Sequence, residues 1–124
     1  MRILLIDDLR NFRDGMINDP SNLWVARNSE QAIELLDSLC FDAVWWDHDL
    51  GGDDTSIAVA NHLLKRAIVS GDAPDISACY IHTSNPIGAI NLRNILESRY
   101  LGYHCVRVSQ TDTDEIFTSG ESNE

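Results

Sequence analysis

Short apolar runs alternate with stretches of helical period along most of this chain, and that alternation restricts the fold more than any other feature. Ile3 to Ile6 is a continuous run whose length and composition suit a strand buried on both faces. Leu23 to Arg27 makes a weaker second strand, and Ala43 to Trp46 a third that ends abruptly in Asp47-His48-Asp49. Ile76 to Ile81 is a fourth and Tyr103 to Val108 a fifth. Helices fall between them. Leu9 to Asn18 reads as a short first helix. Ser29 caps a second, in which Ala32, Ile33, Leu35, Leu36 and Leu39 form an apolar stripe. Thr55 starts a third, with Ile57, Ala60, Leu64, Ala67 and Ile68 facing inward. Pro86 suits a first helical position and opens a segment with Leu92, Ile95 and Leu96 that closes near Gly102. Strands alternating with helices predict a parallel sheet with helices on both faces.

The 124 residues are enough for one domain, and 44% apolar content fills one core without requiring another. The domain is predicted over residues 1–109. Residues 110–124, with five acidic groups and no base, read as a disordered acidic tail. The pattern supplies little or no helix after the fifth strand, which leaves a face through which two copies can associate. No apolar stretch approaches the ~18 residues of a membrane span, and the N-terminal run is too short for a signal peptide. Cys40, Cys79 and Cys105 stand alone within apolar segments, an odd set that predicts buried thiols in a reducing cytoplasm rather than disulfides. A net charge of −11 with a single lysine, Lys65, repels a long phosphate backbone and argues against duplex DNA. A small anion remains acceptable where an arginine, a helix terminus or a cation offsets the charge locally.

Ligands of doubly wound sheets bind beyond the carboxyl ends of the strands. Here those ends carry a dense polar set: Asp7, Asp8 and Arg10 after the first strand, Asp47-His48-Asp49 and Gly51 to Asp54 after the third, and His82-Thr83-Ser84-Asn85 after the fourth. Neighbouring strands lie ~4.8 Å apart, so residues from adjacent ends can reach one ligand.

On those residues the chain resembles the receiver domains of response regulators. Asp7-Asp8, Phe41 to Asp47, Gly52 and Thr83 or Ser84 carry the likeness. It implies a flavodoxin-like five-stranded sheet of order 2-1-3-4-5, from which this chain departs in that its last helix is missing or reduced. It also implies an acidic pair holding Mg²⁺, a phosphoacceptor at Asp47, a hydroxyl after the fourth strand and a lysine after the fifth. That lysine is absent, because Lys65 lies on a helix and the fifth strand runs on as His104 to Ser109. His48-Asp49 and His82 with Asn85 are instead similar to the His-Asp and His-x-x-Asn marks of the cyclic-phosphate processing receiver domain. That resemblance implies binding or hydrolysis of a cyclic phosphate on a small nucleotide or an RNA end.

The chemistry can be argued from the residues themselves. Opening a cyclic phosphodiester requires taking a proton from water, giving one to the leaving oxygen and steadying charge on the phosphoryl group. An unperturbed imidazole titrates at about 6.5 and suits both proton transfers, which nominates His48 and His82 as a catalytic pair. Arg10, Asp49, Thr83, Ser84 and Asn85 are the substrate-binding candidates, with the start of the Pro86 helix supplying N–H groups. Asp7, Asp8 and Asp47 are candidate ligands of Mg²⁺ or Mn²⁺. Two other readings use the same residues: a degenerate receiver that binds a nucleotide or protein without catalysis, and a metal-dependent phosphatase or nuclease built on the Asp cluster. Plainer roles compete with these. Asn85 before Pro86 is a natural helix cap, Asp53 and Asp54 suit a solvated helix start, and Arg10 can pair with Asp14. His62 reads as surface, His104 as structural, and Trp45 and Trp46 as packing, with one of them a candidate base-stacking wall.

Overall fold

A computed structural model describes residues 1–12, 20–108 and 117–118. Its centre is a parallel sheet of β1 (Ile3–Ile6), β3 (Leu23–Ala26), β4 (Ala43–Trp46), β5 (Ala78–Ile81) and β6 (Cys105–Arg107), in the order β3-β1-β4-β5-β6. This is the expected 2-1-3-4-5 arrangement of the five parallel strands. A separate two-residue ladder pairs β2 (Asn11–Phe12) antiparallel with β7 (Phe117–Thr118). Three helices, α1 (Ser29–Ser38), α2 (Ile57–Lys65) and α3 (Pro86–Leu96), connect the parallel strands, and α2 runs on as a π-helical turn over Arg66–Ser70.

Alternation of side chains along the strands divides the core in two. Leu4, Ile6, Val44, Trp46, Cys79 and Ile81 turn to one face, where they pack against Ala32 and Leu36 of α1, Val59, Ala60 and Leu63 of α2, and Ala89, Leu92 and Leu96 of α3. All three described helices therefore lie on this face. The opposite face carries Leu5, Val25 and Trp45, with Phe12 set edge-on to Trp45 at 5.4 Å between ring centroids. Trp45 in turn stacks on Tyr80 at 4.4 Å. Both tryptophans are packing residues, as expected.

Several boundaries differ from expectation, each for a local physical reason. The helix expected over Leu9–Asn18 does not include Asn11–Phe12, which are extended. The Arg10 backbone carbonyl, which that helix would use, accepts a hydrogen bond from the Arg27 guanidinium at 2.7 Å, and the same guanidinium reaches the Asp7 carbonyl at 3.2 Å. Positions 13–18 of that helix lie outside the described residues, as does the expected tail apart from 117–118. The cap of α1 is Asn28, not Ser29: its side chain accepts from the Gln31 amide at 2.8 Å, while the Gln31 side chain reaches back to the Arg27 amide. Helix α2 begins at Ile57 because Thr55 is engaged in a β-bridge with Asp49. Its inward stripe is Val59, Ala60 and Leu63, and Ile68 is 55% exposed. This helix has apolar residues almost all round, so the sequence offers two stripes and only packing selects one. Helix α3 stops at Leu96 rather than near Gly102; the chain then turns, with Gly102 at positive φ. Cys40 is exposed rather than buried, whereas Cys79 and Cys105 are interior thiols. Among the described residues no helix is long and apolar enough to cross a membrane.

Candidate functional site

The register of the sheet decides which strand-end residues meet. Ile6, Trp46 and Ile81 lie side by side in the last paired row. The backbone ladder then runs one residue further, with the Asp47 amide on the Ile6 carbonyl (3.0 Å), the His82 amide on the Trp46 carbonyl (2.9 Å) and the Val108 amide on the Ile81 carbonyl (2.8 Å). The next row across the sheet is therefore Asp7, Asp47, His82 and Val108. Being one step beyond Ile6, Trp46 and Ile81, its side chains turn away from the helices, toward the face of Leu5, Trp45 and Tyr80.

Asp7, Asp47 and His82 form the heart of the site, each offering one ligand atom within 4.8 Å of the others. His82 Nε2 lies 3.0 Å from Asp7 Oδ2, and both side chains are essentially without solvent contact, at 0% and 1%. The other Asp7 oxygen accepts the amides of Leu9 (2.9 Å) and Arg10 (2.7 Å). Burial opposes the Asp7 charge, but these hydrogen bonds together with His82 outweigh it and hold the carboxyl below its ordinary range. For His82 burial dominates and the Asp7 partner only partly offsets it, so the imidazole stays neutral. Asp7 thus carries the charge and His82 donates its Nε2 proton to it. Asp47 has no such compensation. Burial, the Asp7 carboxylate and the further charges of Asp8 and Asp49 push its carboxyl up to about 7, against the opposing pull of Arg10.

His48 sits elsewhere. One residue past Asp47, it turns to the side of α3, where its ring lies on the first turn of that helix beside Gly88. Its Nδ1 is 2.9 Å from Asp49 Oδ1. The two predicted catalytic histidines are thus offset by one row: His82 belongs to the Asp7–Asp47 cluster, and His48 to the mouth of α3.

The other expected contacts divide between rim and scaffold. Arg10 stands close enough to Asp47 and His82 to shift the titration of both. Ser84 is exposed at the rim. Thr83 is buried; its hydroxyl accepts the Asn85 amide at 3.1 Å and its carbonyl accepts from the Arg107 guanidinium at 3.0 Å. Asn85 caps α3 through the Gly88 amide at 2.9 Å. Pro86 has no N–H and the Ala89 amide is on the Asn85 carbonyl, so of the first-turn donors that of Ile87 is not taken by these caps. Asp8 Oδ2 approaches Gly51, 3.5 Å from where a β-carbon would stand, and lies outside the three-ligand cluster. Asp54, expected to be solvated, accepts from both the Ser29 amide (2.9 Å) and hydroxyl (2.6 Å) and ties the Gly51–Asp54 turn to α1. Sequence reasoning missed Arg27, whose guanidinium holds the Asp7–Asn11 turn. Its only sequence signal is a cation at the end of the second strand. It also missed Gly88, which reads locally as an ordinary weak point of a helix.

A five-stranded parallel sheet with an acidic cluster at its carboxyl edge is a receiver fold. Among solved structures the chain is similar to the crystal structure of a response regulator receiver domain protein (CheY-like) from Methanospirillum hungatei JF-1, at 17% identity and a TM-score of 0.50. That match covers 92% of this chain and 87% of the other. Residues 2–98 match the Cyclic-phosphate processing Receiver domain, and the chain belongs to that family. No curated protein matches the sequence.

Proposed function

We propose that this domain binds a cyclic phosphate ester at its strand ends and opens the ring by hydrolysis. The observation that supports the reading is the row Asp7–Asp47–His82, which gathers two carboxylates and a neutral imidazole, with His48, hydrogen-bonded to Asp49, one residue past Asp47 at the mouth of α3. Val108 occupies that row just past β6 and the single lysine, Lys65, lies on α2, so the lysine that an orthodox phosphoacceptor switch would use is missing from the row.

The cluster also fits a divalent cation. Three donor atoms within 4.8 Å suit one ion, and the raised Asp47 carboxyl marks negative charge that a cation would relieve. Asp7, Asp47 and His82 would hold it, His82 through a ring nitrogen that carries no proton, so that binding would displace or relocate the proton it gives to Asp7; His82 then stands where Asp8 was expected. The nitrogen donor favours Mn²⁺ over Mg²⁺. Bound there, the ion supplies Lewis-acid stabilisation of phosphoryl charge. The remaining work falls to the chain. Arg10 and the Ile87 amide face the phosphoryl oxygens, offsetting the acidic surroundings. His48 donates Nδ1–H to Asp49, which leaves Nε2 to take the proton of the attacking water. The phosphorus–oxygen bond of the ring breaks, and the leaving oxygen takes its proton from water at the open rim.

The test is a panel of 2′,3′- and 3′,5′-cyclic nucleotides incubated with the protein and Mn²⁺. Ring-opened products are expected, with turnover lost on chelation. His48→Ala is expected to lower kcat by about 100-fold, the usual worth of a general base. Undiminished turnover in that variant would remove His48 from the mechanism. A nucleotide bound but recovered unchanged would favour the non-catalytic receiver instead.

A further inference from the structure

We infer that Gly88 is a positioning residue, the bare seat in α3 on which the His48 imidazole rests and by which its direction is fixed. Its bearing on catalysis rests on the role given to His48 above.

Glycine normally earns its place in a fold through backbone freedom, and Gly51, Gly52, Gly71 and Gly102 all adopt positive φ. Gly88 does not. It lies in the first turn of α3 with helical geometry that any residue accepts, and there glycine is less favourable than alanine. The Asn85 cap uses only its backbone amide, which every residue but proline offers. What distinguishes the position is space. A β-carbon on Gly88 would stand 2.5, 2.6 and 2.8 Å from Cγ, Cδ2 and Nδ1 of His48, far inside contact distance. The missing side chain is thus filled by an imidazole from another element.

His48 cannot easily withdraw. Its carbonyl accepts the Ser56 amide at 2.9 Å, and the next residue, Asp49, forms the bridge to Thr55. With the backbone held, a methyl group at position 88 must rotate the ring, and rotation breaks the 2.9 Å contact of Nδ1 with Asp49. Seat and carboxylate together leave Nε2 one direction. A glycine forty residues away thereby completes a His-Asp pair that is adjacent in sequence.

The experiment is a double-mutant cycle read in two ways. Gly88→Ala is expected to lower the melting temperature of the wild-type chain. In the His48→Ala background, where the seat is empty, the same change is expected to raise it by a few degrees, because only the helical preference for alanine remains. With 2′,3′-cyclic AMP as probe, Gly88→Ala is expected to reduce kcat at least 10-fold while KM changes less than 2-fold, a split that general loss of packing does not produce. Equal melting shifts in both backgrounds would overturn the seat. If Gly88→Ala alone fails to fold, a folded Gly88→Ala/His48→Ala chain gives the same support as the sign change. The melting cycle decides the seat with or without turnover, whereas a wild-type chain that opens no ring overturns the hydrolase reading.

Discussion

Asp47→Asn is expected to be more stable than the wild-type chain at pH 7.5 in the presence of a chelator, by about 2 kcal/mol, and no more stable at pH 4. The unfolded Asp47 ionises near pH 4, whereas the folded carboxyl keeps its proton until about 7. Between those values the unfolded state releases a proton that the folded state retains, so stability falls as pH rises through the window and levels off above it. Three pH units correspond to ~4 kcal/mol at most, and solvent at this partly open position reduces that by about half. The amide has the same shape and no charge to lose. In melting temperature the difference is ~8 °C for a domain of this size. Urea titrations at both pH values measure it, and an equal gain at pH 4 and pH 7.5 would show that charge is not the cause. The same logic ties the position to function. Saturating Mn²⁺ at pH 7.5 should raise the melting point of the wild-type chain and leave Asp47→Asn unmoved, because the carboxylate that destabilises the empty site is the one the ion relieves.

Much of this arrangement is legible in the sequence. The third strand ends where Trp46 gives way to Asp47, and no helix or sheet position tolerates that change of polarity without becoming a terminus. Asn85-Pro86 announced the start of α3 in the same way. What could not be read was the row. His48 and His82 each follow a strand, but Asp47 intervenes on β4 and nothing intervenes on β5. A one-residue offset sends consecutive side chains to opposite sides of a sheet. That fact depends on pairing between strands, which no local pattern encodes. The partners that no local pattern announces are all distant in sequence: Arg27 with the Asp7–Asn11 turn, Ser29 with Asp54, His48 with Gly88, and Asn11–Phe12 with Phe117–Thr118. Gly88 is the plainest case. Locally it weakens a helix, and its purpose is visible only when the ring that fills it is in place.

His82→Ala is expected to cost ~3 kcal/mol or more, among the largest losses any substitution of a polar residue here will produce. The change empties a fully buried volume and strips a buried carboxylate of one of its three donors. Asp7→Asn separates the two contributions. In that background no charge is left stranded, so His82→Ala should cost clearly less, and additive losses would argue that the Asp7–His82 contact carries no electrostatic weight. The pair also makes a prediction in pH. Burial holds the folded imidazole below its ordinary ~6.5, so on acidification the unfolded chain takes up a proton that the folded chain refuses. Stability present above that value is lost as pH falls below it, at up to ~1.4 kcal/mol per pH unit. In the wild-type chain Asp47 works in the opposite direction over an overlapping range and masks the effect. Asp47→Asn removes the mask. Between pH 6.5 and 5 its stability should fall with nearly the slope of one proton, and adding His82→Ala should flatten the curve. A slope that survives the loss of His82 would assign the acid sensitivity to another group and leave the neutral, metal-ready imidazole without support.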